Sequence, residues 1–95
     1  MATIFEWDES KAEANVHKHG VNFDEAQTIF LDDLAILLLD PEHSAREERW
    51  LIIGTSDRRR LLVISFTERG KKIRLISARK ATRVERNQYE EEDHF

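Results

Sequence analysis

The 95-residue chain reads as an α+β domain, with two N-terminal helices, an antiparallel sheet of about four strands and a C-terminal helix. Three observations predict this class. Apolar residues follow helical spacing in the first third and give way to strand-like runs from about Leu34 to Arg79. Two capping boxes, Asn22–Glu25 and Thr82–Glu85, flank that stretch. One Pro and three Gly leave room only for short connections, with no repeat and no linker, so residues 1–95 are expected to form one domain.

Thr3 to Trp7 looks extended and is a candidate for a short strand outside the meander. Asp8 supplies an N-cap for a helix that stops at Gly20, a residue suited to the left-handed position after a helix. Asn22 caps the second helix, whose Phe23, Ala26, Gln27 and Phe30 share one face. Leu34 to Leu39 is a first sheet strand, ended by Pro41, and Glu42 to Glu48 is a polar connection. Arg49 to Thr55 is the second strand, and Ser56–Arg59 turns into the third, Leu61 to Thr67, with Leu62, Ile64 and Phe66 on one face. Gly70 provides the positive φ of a hairpin turn. The fourth strand, Ile73 to Arg79, sets Ile73 and Leu75 against Arg74 and Ile76. Thr82 starts a last helix to about Glu91, and the acidic tail Glu90–Asp93 is expected to fray. The meander needs only hairpins and no crossover helix.

Composition narrows the chemistry. The absence of cysteine excludes disulfides, thiol nucleophiles and thiolate zinc sites, and fits a reducing cytoplasm. The opening residues lack a basic region followed by an apolar run, so no signal peptide is expected, and Leu34–Leu39 is too short to span a membrane. His17, His19, His43 and His94 show no metal-binding spacing, and no phosphate-binding glycine loop or serine-hydrolase elbow occurs. No metal or cofactor is therefore expected.

Net charge is −4, which argues against nucleic acid until its distribution is considered. Arg58 to Arg86 holds eleven Lys/Arg and two acids, a local +9, while the remainder carries −13. Within the basic segment, Arg74 and Arg79 lie on the last strand. Arg83 and Arg86 are neighbours on the last helix, with Tyr89 three residues further on. Guanidinium groups bind phosphate in a planar, two-pronged manner, and aromatic rings stack on bases. Such a set suits RNA binding and cleavage by attack of the substrate's own 2′-hydroxyl, for which the protein positions, moves protons and stabilises charge. Each residue also has a structural reading. Trp7 and Trp50 serve as core anchors, Arg74 as an ion-pair partner, His19 as a favourable charge at a helix C-terminus, and Tyr89 as packing for the last helix.

Longer motifs add to this reading. The chain opens with Phe5-Glu6-Trp7-Asp8, Lys11-Ala12, Asn15 and Lys18-His19-Gly20-Val21, continues with Phe23, Glu25-Ala26, Phe30 and Asp32, and has Glu48-Arg49-Trp50 and Ile53-Gly54 at its middle. Thr67-Glu68-Arg69, Ile73 to Ala81, Glu85-Arg86 and Tyr89-Glu90 follow. In this order, over nearly the whole chain, these residues resemble the BrnT toxin family. Asp32-Asp33 departs from an Asp-Pro common in that family, at a turn. The resemblance implies a RelE-like fold and a ribonuclease that inhibits translation and growth. It also implies a BrnA-type ribbon-helix-helix antitoxin in a heterotetramer that meets DNA through the antitoxin. It further implies catalytic or phosphate-binding roles for Lys18, His19, Arg49, Arg79, Arg83 and Tyr89, with Trp50, Arg69, Arg74 and Arg86 contacting RNA. A non-catalytic module that docks nucleic acid or protein through the basic segment, and a ribosome-dependent enzyme, stay open on the sequence.

Overall fold

The computed structural model describes residues 3–92. Strand β1 (Ile4–Glu6) leads into helix α1 (Glu9–His19) and helix α2 (Phe23–Thr28), which tightens into a 3-10 turn over Ile29–Leu31. Strand β2 (Ile36–Leu39), a 3-10 turn at Pro41–His43, strands β3 (Arg49–Thr55), β4 (Leu61–Arg69) and β5 (Lys72–Lys80), and helix α3 (Arg83–Glu92) complete the order. Asp93 and His94 lie outside the described residues, while Glu90 and Glu91 continue α3 rather than fraying.

The helices start and stop where the side chains dictate. Asp8 accepts from Lys11 N–H, and Asn22 accepts from Glu25 N–H at 2.7 Å, each satisfying a helix-end donor. Gly20 sits at φ 70°, a conformation that costs a residue with a Cβ about 1 kcal/mol, and its N–H closes α1 on Val16 O. Thr82 and Glu85 form the expected capping box, with Thr82 N–H donating to Glu85 and Glu85 N–H to Thr82.

The sheet corrects one expectation. Four antiparallel strands were expected; the sheet has five and is mixed, in the order β1-β5-β4-β3-β2. The meander β2–β5 is antiparallel as its turns required. The fifth strand is the N-terminal segment, which runs parallel to β5 with Phe5 opposite Ile73 and Glu6 opposite Arg74. Three residues are too few to show a period, and the partner lies 68 positions away, so no turn announces the pairing. The β4–β5 hairpin turns through Gly70 at φ 62°. A register shift at Ser65/Phe66 gives β5 one extra residue, Ile76, so that Leu75 and Ala78 both face the helices.

One sheet face carries the main core. Ile52, Leu62, Ile64, Phe66, Leu75 and Ala78 pack under Val21, Phe23, Ala26 and Ile29, with Trp7 and Trp50 at the margin. Phe30 is wedged edge-on between Phe5 (5.0 Å) and Phe66 (5.1 Å), and Trp7 meets Phe23 edge-on at 5.8 Å. The large buried side chains in this layer each contribute about 1.5–3 kcal/mol. Gly54 permits the close approach of β3 to the 3-10 turn, since a Cβ there would lie 3.3 Å from Ile29 O and from the Cβ atoms of Ile29 and Ala35.

β1 covers β5 only as far as Arg74, which leaves the later part of that edge open. Asn15 closes it. Its side-chain amide donates to Ala78 O (2.8 Å) and Val21 O (2.9 Å), and accepts from Ala78 N–H (3.0 Å). A single buried amide thus stands in for a strand and locks α1 to the sheet. Asn15→Ala is expected to lower stability by about 2–4 kcal/mol, because it leaves three buried backbone groups unpaired. Urea unfolding should show a reduced midpoint with an unchanged slope.

Candidate functional site

The other sheet face is covered at one end only. There α3 lays Tyr89 over Ile53, Leu61 and Val63. The Tyr89 hydroxyl donates to Asp32 Oδ2 (2.6 Å) and accepts from Thr55 Oγ1 (3.3 Å). Burial raises the Asp32 pKa, but the bonds from Tyr89, Thr55 N–H and Leu34 N–H outweigh it and hold the carboxyl below its usual value.

Beyond α3 the face is open. A depression of about 350 Å³ lies between the β2–β3 connection and β5. Arg49 and Leu51 from β3, Ser65 from β4, and Ile76, Ser77 and Arg79 from β5 form its floor and far wall. Asp40, Glu42 and His43 form the near wall. Register explains the grouping: Leu51 pairs with Ser65 and Ser65 with Ser77, so one row of small or apolar side chains runs between the two arginines.

The two arginines differ in what holds them. Arg79 is clamped by Glu85 from α3, with Nη1 donating to Oε1 (2.6 Å) and Nη2 to Oε2 (2.8 Å). The Arg79 hydrogen bonds, aided by the Thr82 amide, bring the Glu85 pKa down to about 2 despite partial burial. The clamp raises the Arg79 pKa in turn. A guanidinium has five N–H donors, so the clamp fixes its plane and leaves donors over. Arg49 is looser. Its Nε is buried, makes no hydrogen bond among the described residues, and lies 3.9 Å from Glu47 Oε1. A buried donor without an acceptor is costly, and an incoming phosphate oxygen would satisfy it.

The other expected site residues are distributed as follows. Arg74, on the open face, donates to Glu6 Oε2 at 2.8 Å. Arg69 ends β4 and lies 3.7 Å from Glu47. Arg83 and Arg86 are exposed on α3, the latter 4.0 Å from Glu90. Trp50 is half-buried against the main core, on the opposite face. Lys18 and His19 end α1, whose Asn15 is bonded to the β5 edge at Ala78, and neither residue lines the depression that holds Arg49 and Arg79. Sequence reasoning did not single out Asp40, His43, Ser65, Ser77 or the acids that hold the arginines. Glu85 had a signal, being the fourth member of a capping box; His43 had none, because nothing local ties it to the strands it faces.

A second cluster is structural. Buried Glu25 accepts from Ser56 Oγ (2.7 Å) and is forked by Arg60, whose Nε donates to Oε2 (2.9 Å) and Nη2 to Oε1. The hydrogen bond from Arg60 is the main cause of its lowered pKa, against the effect of burial. The cluster pins the β3–β4 turn, where Arg59 takes φ 62°, to the start of α2. Among the described residues no group of three or more His, Asp or Glu is arranged to hold a metal ion, and no helix is long and apolar enough to cross a membrane.

The site is thus an arginine-lined open face on a helix-backed α+β sheet. Residues 7–85 match the family model described as ribonuclease toxin, BrnT, of type II toxin–antitoxin system, and the chain belongs to that family. Membership makes it a ribonuclease toxin with an antitoxin partner. No curated protein sequence matches it. Among solved structures it is similar to the Brucella abortus ribonuclease toxin, BrnT, at 24% identity and a TM-score of 0.65, over 86% of this chain and 100% of that one. At that identity the likeness speaks for the fold.

Acid titration tests the clamp. The Glu85 pKa is depressed when folded, so its contribution is present above about pH 4.5 and fades as the pH falls towards about 2. Glu85→Gln is expected to be less stable than wild type at neutral pH, with the difference closing over that window in unfolding curves taken at several pH values.

Proposed function

We propose that the chain cleaves RNA on the open sheet face, without a metal ion, and so inhibits translation and growth. The observation that carries this reading is the pair Arg49 and Arg79 on either side of a serine-lined depression, in a member of a ribonuclease toxin family. The two guanidinium groups bind the scissile phosphate and stabilise the charge that gathers on it as the 2′-oxygen attacks. Arg69, Arg74, Arg83 and Arg86 contact phosphates on either side. Trp50 faces the main core, Lys18 and His19 do not line the depression, and all three lie outside the reacting centre in this reading. Tyr89 contributes by fixing α3, and with it Glu85 and Arg79. The protein works in the cytoplasm, possesses a RelE-like fold, and is silenced by a BrnA-type ribbon-helix-helix antitoxin in a heterotetramer that reaches DNA through the antitoxin.

Purified protein is expected to cut end-labelled RNA in EDTA, leaving 2′,3′-cyclic phosphate and 5′-hydroxyl ends, either on free RNA or in a translating extract. Arg79→Ala and Arg49→Ala should each slow cleavage by about 10²–10³-fold, the usual effect of losing one preorganised donor. His19→Ala and Tyr89→Phe should stay within about threefold of wild type, well short of the ~10²–10⁴ that acid–base catalysis typically contributes. RNA that is retarded on a gel, with a steep salt dependence, but remains intact in both settings would make the chain a binding module instead.

A further inference from the structure

The depression holds one group whose chemistry the phosphate-binding arginines do not supply. We infer that His43, oriented by Asp40, is the general base that takes the proton from the attacking 2′-hydroxyl; the inference rests on the reading that RNA is cleaved on this face.

His43 closes the 3-10 turn between β2 and β3, with its side chain 60% exposed and facing the depression. Its Nδ1 lies 2.9 Å from Asp40 Oδ2, and Asp40 is itself only 15% exposed. A carboxylate can only accept, so in the neutral ring this contact puts the proton on Nδ1 and leaves Nε2 as the acceptor. The turn that carries the pair is anchored to the strand that carries Arg49. Asp40 N–H donates to Arg49 O (2.8 Å), Arg49 N–H donates to Ser44 Oγ (3.0 Å), and the Ser44 hydroxyl donates to Asp40 O (2.5 Å). The imidazole and its orienting acid are thereby tied to the main chain of the residue that carries the looser guanidinium, which places the three in one depression. No other described histidine lines the depression: His17 and His19 end α1 outside it.

The step balances without a metal or oxidant. Nε2 takes the 2′-hydroxyl proton as the 2′-oxygen bonds to phosphorus, and the bond from phosphorus to the 5′-oxygen breaks. Solvent water protonates the departing oxygen, and the imidazolium returns its proton to the hydroxide so formed. The products are a 2′,3′-cyclic phosphate and a 5′-hydroxyl.

The test separates binding from chemistry in His43→Ala, His43→Gln, Asp40→Asn and Arg79→Ala, with each fold checked by thermal melting. RNA affinity is read with a 2′-O-methyl analogue, which cannot be cut. Both His43 variants are expected to lose about 10²–10⁴-fold in kcat while keeping analogue affinity within about threefold. Added imidazole should restore part of the activity of His43→Ala and none of that of Arg79→Ala. Asp40→Asn should lower kcat and move the acidic limb of the pH profile, where the base loses its proton, since it removes the acceptor that fixes the ring. Cleavage by both His43 variants at the wild-type rate, with Arg79→Ala inactive, would overturn the assignment and leave the proposed function standing. Intact RNA with the wild type, free and in a translating extract, would remove both.

Discussion

The molecule is governed by a shortage of helix. A five-stranded sheet has two faces to cover, and the chain has helices α1 and α2 for one and only α3 for an end of the other. Apolar side chains therefore concentrate under α1 and α2, where Val21, Ala26, Ile29, Leu62 and Ile64 are fully buried. The uncovered part of the second face must be stable in water. It is surfaced with Arg49, Ser65, Arg74, Ser77 and Arg79, and a surface of that kind is suited to an anionic polymer.

The same constraint explains how so basic a segment folds. Its arginines are held by acids, most of them from elsewhere in the chain: Arg60 by Glu25, Arg74 by Glu6, Arg69 by Glu47, and Arg79 by Glu85. These pairs set guanidinium planes at defined places, which matters more here than their stability, since partly exposed pairs contribute little. Arg58, Arg59, Lys71, Lys80 and Arg83 make no ion pair among the described residues and supply the unspent positive charge. The β2 edge is left apolar, with Leu37, Leu38 and Leu39 all exposed.

Local chemistry was readable from the residues. Caps at Asp8, Asn22 and Thr82, the left-handed stop at Gly20 and the turn at Gly70 all fall where their side chains or their flexibility require. Alternation in β4 identified Leu62, Ile64 and Phe66 as one face, and all three are core. What could not be read depends on distant contacts. β1 needs β5 to become a strand, and Ile76 becomes an extra residue only through its register against Ser65 and Phe66. The arginines were visible as a group. Which ones share a face was decided by strand pairing, and that pairing also brought His43 into their company, while Lys18 and His19 do not line the depression.

The central claim is that RNA meets the protein on the open face. The most direct measurement follows arginine and histidine side-chain resonances by NMR while a 2′-O-methyl RNA is added. Changes centred on Arg49, Arg79 and His43, with His19 unmoved, are the predicted result. Changes centred on His19 and its neighbours, with Arg49 and Arg79 silent, would contradict the account and move the site to the end of α1.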